Sequence, residues 1–77
     1  MEERIKKVLS EVLKIKISKI NAKSSPDNIE SWDSLKHVYL VVALEEEFKV
    51  SFSSDDIIKM LNFKLIKLII KEKLSKK

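Results

Sequence analysis

The apolar positions of this chain recur with a helical period over most of its length, and where the period fails the residues change character. Ile5, Val8, Leu9, Val12 and Leu13 stand at i, i+3, i+4, i+7 and i+8, one face of a helix. Glu2, Lys6, Lys7, Glu11 and Lys14 fall mostly elsewhere, so the spacing predicts helix I from about Glu2 to Lys16. From Ile17 to Asp33 the pattern lapses into Asn21, Ser24, Ser25, Pro26, Asp27 and Asn28, residues that favour turns and caps. A connection that long with no structure of its own is unusual in a small domain, so Ile20, Ile29 and Trp32 are expected to pin it to the core.

Asp33 suits an N-cap, because its carboxylate can accept from the orphan amides one turn on, and Ser34 then takes the first position of helix II. Helix II continues through Leu35, Val38, Leu40, Val41, Val42, Ala43, Leu44 and Phe48. That surface is wider than one stripe and predicts a central helix contacted on several sides. Val50 and Phe52 are expected to plug the core between helices. Ser53 with Asp56 three residues later fits a capping box at the start of a short helix III reaching about Leu61, with Ile57, Ile58 and Leu61 facing inward. Asn62 can cap helix IV, in which Leu65, Ile66, Leu68, Ile69, Ile70 and Leu74 alternate with Lys64, Lys67, Lys71 and Lys73. The expected fold is all-α: a four-helix bundle of three longer helices and a short helix III, with a long loop between helices I and II, in one domain over residues 1–77.

Composition narrows the chemistry. A chain of 77 residues has one small core, able to bury about 60% of its unfolded surface. Without cysteine there is no disulfide framework, thiolate zinc site or thiol nucleophile. Without glycine there is no dinucleotide fingerprint, phosphate-cradling loop or nucleophile elbow, each of which needs glycine's backbone freedom or close approach. The acidic start Glu2-Glu3 has no apolar segment behind it, and no apolar run approaches the ~20 residues needed to cross a bilayer. A cytoplasmic location and no stable membrane association are expected.

The formal charge of +4 is unevenly placed: residues 1–29, 30–56 and 57–77 carry +3, −5 and +6. The acidic middle favours a basic protein partner. A small basic module binding nucleic acid or a membrane surface is the alternative from another class. Against it, the cations are nearly all lysine, with a single arginine and no Arg/Asn/Gln-rich recognition helix, and the lysines of helix IV read as a solvated face. No nucleic-acid partner is expected.

Asp33, Ser34 and His37 match the residue list of a hydrolytic triad, with Ser34 and His37 at i, i+3. The pattern offers no oxyanion hole, no carboxylate on the far side of the imidazole and no pocket, so no catalytic residue and no metal ligand is assigned. His37 reads as a partly exposed helix residue.

Asp33-Ser34-Leu35, then Val38, Leu40, Ala43 and Leu44-Glu45-Glu46-Glu47-Phe48, resembles the attachment motif and second helix of acyl carrier proteins. Glu2 to Leu9 resembles their first helix, and Ser53 to Leu61 and Leu65 to Ile70 fall where their third and fourth would be, so the resemblance covers essentially the whole chain. It implies that Ser34 is esterified by 4′-phosphopantetheine, transferred from coenzyme A by a separate phosphopantetheinyl transferase. The arm's thiol would hold an acyl or aminoacyl group as a thioester for the enzymes that load and transfer it. The protein itself would be a monomer and not an enzyme. The resemblance also implies that Asp33, besides capping the helix, contributes to the transferase's metal-containing site; Leu35 and Val38 read first as core and otherwise as docking residues for partners, and Val42, Phe48, Ile57 and Leu61 read first as ordinary core and otherwise as the lining of a site for a fatty chain. Carriers of fatty acid biosynthesis typically have acidic residues where Lys36 and Tyr39 stand and a small residue where Trp32 stands. Trp-Asp-Ser-Leu is more like stand-alone carriers of specialised pathways, D-alanyl and other aminoacyl carriers included. A specialised stand-alone carrier is expected, with fatty-acyl, modified-acyl and aminoacyl cargo left open.

Overall fold

The computed structural model describes residues 2–75. Its helices are α1 (Glu2–Leu13), α2 (Ser34–Phe48), α3 (Ser54–Lys59) and α4 (Phe63–Ser75), with a 3₁₀ turn at Ile17–Lys19 and no strand among the described residues. The all-α architecture and its order are those the periodicity predicts.

α1 stops three residues short of Lys16, at a backbone event that periodicity does not register. Lys14 has φ 56°, and the Ile15 N–H closes back to the Ser10 carbonyl at 3.2 Å. α2 ends the same way, with Lys49 at φ 56° and the Val50 N–H on the Glu45 carbonyl at 3.2 Å. This closure usually takes glycine; a side chain in the left-handed region costs about 1–2 kcal/mol, and this chain has no glycine to relieve it.

The segment between α1 and α2 is tied by its own side chains. Ser24 Oγ accepts the Asn21 N–H at 2.9 Å, Asn28 Oδ1 accepts the Ser25 N–H at 3.0 Å, and Asn28 Nδ2 donates to the Lys23 carbonyl at 2.8 Å. Buried Ser24 also offers its carbonyl to the Phe63 N–H at 2.8 Å, which joins the loop to the start of α4. Ile20 and Trp32 are buried and Ile29 partly so, as their pinning role requires.

The core is built from Ile5, Leu9 and Leu13 of α1, Leu40, Leu44 and Phe48 of α2, and Ile66 and Ile70 of α4, with Phe52 and Val50 packed beside them. Each fully buried aliphatic side chain contributes about 1.5–3 kcal/mol. Three expectations change here. α2 is not contacted on several sides: Leu35, Val38, Tyr39 and Val42 face outward as a continuous apolar strip. α3 ends at Lys59 rather than Leu61, because buried Met60 turns into the core and its N–H reaches the Ile57 carbonyl at 3.3 Å. Ile58 and Leu61 are therefore 70% and 63% exposed, and of the three residues expected inside only Ile57 is partly buried. In α4, Asn62 Oδ1 caps as expected, accepting the Leu65 N–H at 2.9 Å, while Leu68 is half exposed and Phe63 is buried in its stead.

Candidate functional site

Residues 31–37 turn the loop into α2. Asp33 is the N-cap: its Oδ1 accepts the Lys36 N–H at 2.8 Å and its carbonyl accepts the His37 N–H at 2.9 Å. Ser34 follows as the first helical residue, exposed, at the end of α2 where the leading amides lack intrahelical acceptors and the helix dipole is positive. A negatively charged group on its hydroxyl would be stabilised there. Trp32, 2% exposed, fixes the approach to the cap from below.

His37 does more than the sequence suggests. Trp32 Nε1–H donates to His37 Nδ1 at 3.0 Å, and the two rings stack with centroids 6.1 Å apart at 23°. An indole nitrogen is only a donor, so Nδ1 is the acceptor in this pair, and the tautomer that serves both contacts carries its proton on Nε2. That proton points to the Ile57 carbonyl at 3.3 Å. One side chain thus joins the loop, α2 and α3. The available signal was a donor-only Trp just before a helix cap and a His on the first turn; the third partner, 20 residues away, has no signature in the local pattern.

Beside Ser34 this bridge floors an open groove of about 380 Å³, walled by Trp32, His37, Ile57, Met60 and Leu61. Of the four residues read as core or as lining for a fatty chain, Val42 and Leu61 face outward, and Phe48 and Ile57 alone turn toward the core. Asp33, Ser34 and His37 come together in sequence but not as a triad, since His37 spends both nitrogens on Trp32 and Ile57 and Asp33 caps the helix. No cluster of three or more His, Cys, Asp or Glu side chains able to hold a metal occurs among the described residues.

The described residues thus form a four-helix bundle with an exposed hydroxyl opening its second helix above an apolar groove. A family model described as phosphopantetheine attachment site matches residues 3–63. The acyl carrier protein of Buchnera aphidicola subsp. Schizaphis graminum is 44% identical over 57 residues, 73% of this chain and 71% of its own length. That of Buchnera aphidicola subsp. Acyrthosiphon pisum is 47% identical over 57 residues, 73% of this chain and 70% of its own. The solution NMR structure of holo acyl carrier protein from Geobacter metallireducens shares the fold, with TM-score 0.87, 24% identity, and coverage of 97% of this chain and 86% of that one. The chain belongs to the acyl carrier protein family, and its prosthetic group is covalently attached 4′-phosphopantetheine.

Proposed function

We propose that Ser34 Oγ is the attachment point and that the protein carries acyl groups between cytoplasmic enzymes without itself catalysing a reaction. The observation that carries this reading is the exposed Ser34 hydroxyl at the first position of α2, inside the span the family model matches. The residues around it fit the group. A phosphodiester on Ser34 meets the positive end of α2, and Asp33, already engaged as the cap, keeps the helix start rigid while the hydroxyl stays clear of it.

When bound, 4′-phosphopantetheine supplies a thiol on a flexible arm, where the cargo is held as a thioester. This chain's own part is to present the serine and to be recognised. No base lies within the hydrogen bonds of the Ser34 neighbourhood to activate its hydroxyl, so the transferase supplies that base. The outward strip of Leu35, Val38, Tyr39 and Val42 begins next to Ser34 and gives partner enzymes an apolar surface to dock on. The names of the curated relatives favour acyl over aminoacyl cargo.

Intact-mass spectrometry after incubation with coenzyme A, magnesium and a broad-specificity phosphopantetheinyl transferase tests the assignment. Wild type gains one phosphopantetheinyl group and Ser34→Ala gains none. An unmodified wild type, or a Ser34→Ala variant modified as readily, removes the assignment.

A further inference from the structure

Ser34 has exposed apolar side chains on both sides of it. Along α2, Leu35, Val38, Tyr39 and Val42 stand at i, i+3, i+4 and i+7, neighbours on one helix face, and all four are exposed. Across the groove that Ser34 lines, Ile58 and Leu61 face solvent as well. Single apolar residues on a surface are ordinary, but a contiguous apolar patch on the order of a few hundred Å² marks an interaction surface.

The net −5 of residues 30–56 favours a basic partner, yet the fold aims most of those carboxylates away from this strip. Asp33 caps α2, and Glu45 Oε2 accepts the Phe52 N–H at 2.9 Å, beyond the end of that helix. Glu47 pairs with Arg4 of α1 at 2.9 Å and Asp56 with Lys73 of α4 at 2.8 Å. Glu46 follows one turn after Val42, at the end of the strip far from Ser34. The charge that borders the strip near Ser34 is a cation. Lys36 Nζ lies 5.9 Å from the centre of the Tyr39 ring and enters no ion pair found among the described residues. A basic surface brought to Ser34 would meet that cation first and apolar side chains after it.

We propose that the phosphopantetheinyl transferase recognises this chain through an apolar patch on its own surface, seated on Leu35, Val38, Tyr39 and Val42, and not through a basic one. The inference rests on Ser34 as the attachment point. An enzyme that acts on Ser34 Oγ must bring its catalytic groups to the first residue of α2, so its surface covers the turns where the strip begins. Removal of apolar surface from water supplies the affinity. Recognition of that kind holds as salt rises, whereas pairing between exposed opposite charges is screened.

The test reads binding without group transfer, so its failure is distinct from a failure of the mass assay for the attachment point. Full-length Ser34→Ala protein is titrated with a broad-specificity phosphopantetheinyl transferase loaded with coenzyme A and magnesium, followed by calorimetry and two-dimensional amide NMR. Shifts are expected at Leu35, Val38, Tyr39 and Val42, with a dissociation constant that changes less than about twofold between about 50 and 500 mM NaCl. In the same background Val38→Ala/Val42→Ala, both exposed positions, should weaken binding by at least about tenfold, and Glu46→Gln/Asp55→Asn by less than about twofold. Urea midpoints equal to the parent's establish that both variants are folded. Absence of binding, a tenfold loss over that salt range, a larger loss from the acidic pair than from the valine pair, or tighter binding by Lys36→Glu would each overturn the proposal.

Discussion

At the scale of single residues, the Trp32 Nε1–H to His37 Nδ1 hydrogen bond at 3.0 Å ties the approach to the Asp33 cap to the first turn of α2. Asp33 could be read as a cap because a cap is local: the side chain and the amide it serves are three residues apart. The role of His37 could not, because it follows from where Trp32 and Ile57 lie once the chain has folded. Replacing His37 by Leu leaves a buried indole N–H without an acceptor, at an expected cost of about 1–3 kcal/mol in urea unfolding. Trp32→Phe removes the donor as well as indole volume. The combined variant should therefore lose less than the two single losses added together; strict additivity would mean that the pair is not coupled. Lys14 and Lys49 end α1 and α2 in the left-handed region, where no glycine marks the end of either helix in the sequence.

At the scale of elements, α3 is the one held by its ends. It has six residues, none of them buried, and is fixed by the Ser53–Asp56 capping box, the Lys73–Asp56 ion pair at 2.8 Å and the His37–Ile57 bond. Its start was legible because the box is a four-residue pattern; its end was not, because Met60 is drawn inward by the rest of the core. Asp56 is where these restraints meet. The Lys73 hydrogen bond first, and then the Ser53 backbone N–H, pull its carboxyl from the ordinary 3.8 down to about 2. A folded value below the unfolded one means that the stabilisation is complete above the unfolded value and is lost as pH falls from about 4 toward about 2. Over that window the stability of wild type should fall more steeply than that of Asp56→Asn, followed by urea denaturation at stepped pH. Parallel curves would show that Asp56 carries no such linkage.

At the scale of the molecule, the charge blocks visible in the sequence become the stitching between helices. Glu2 of α1 takes Lys67 of α4, whose hydrogen bond is the chief reason the Glu2 carboxyl titrates below its usual range. Arg4 of α1 reaches the end of α2 three ways: Nε to Glu47 Oε2 at 2.9 Å, an Nη to the Glu47 carbonyl at 2.9 Å, and its guanidinium 4.6 Å from the centre of the Phe48 ring. The exposed ion pair alone contributes at most about 1 kcal/mol, and the ring contact adds about 0.5–1 kcal/mol. Arg4→Ala should therefore cost about 1–2 kcal/mol in thermal or chemical unfolding, and Arg4→Lys should recover only part of it, because an ammonium lacks the planar fork. Full recovery by lysine would reduce the contact to simple charge. The fold as a whole was legible because helical periodicity is strong in α1 and α4 and because the Asp33 cap and a long apolar run mark α2. The outward apolar strip on α2 was not, because a sequence records that Leu35, Val38 and Val42 are apolar without recording whether anything covers them.

The Trp32–His37 pair has a practical consequence. This is the protein's only tryptophan and only histidine, stacked and hydrogen-bonded two residues and three residues from Ser34. Indole emission responds to the acceptor on its nitrogen and to what lies against its ring, so the chain contains a native optical label at the mouth of the groove. Arrival of the arm, seating of a cargo in the groove or displacement of α3 can each be followed in unlabelled protein, in real time, by exciting one residue.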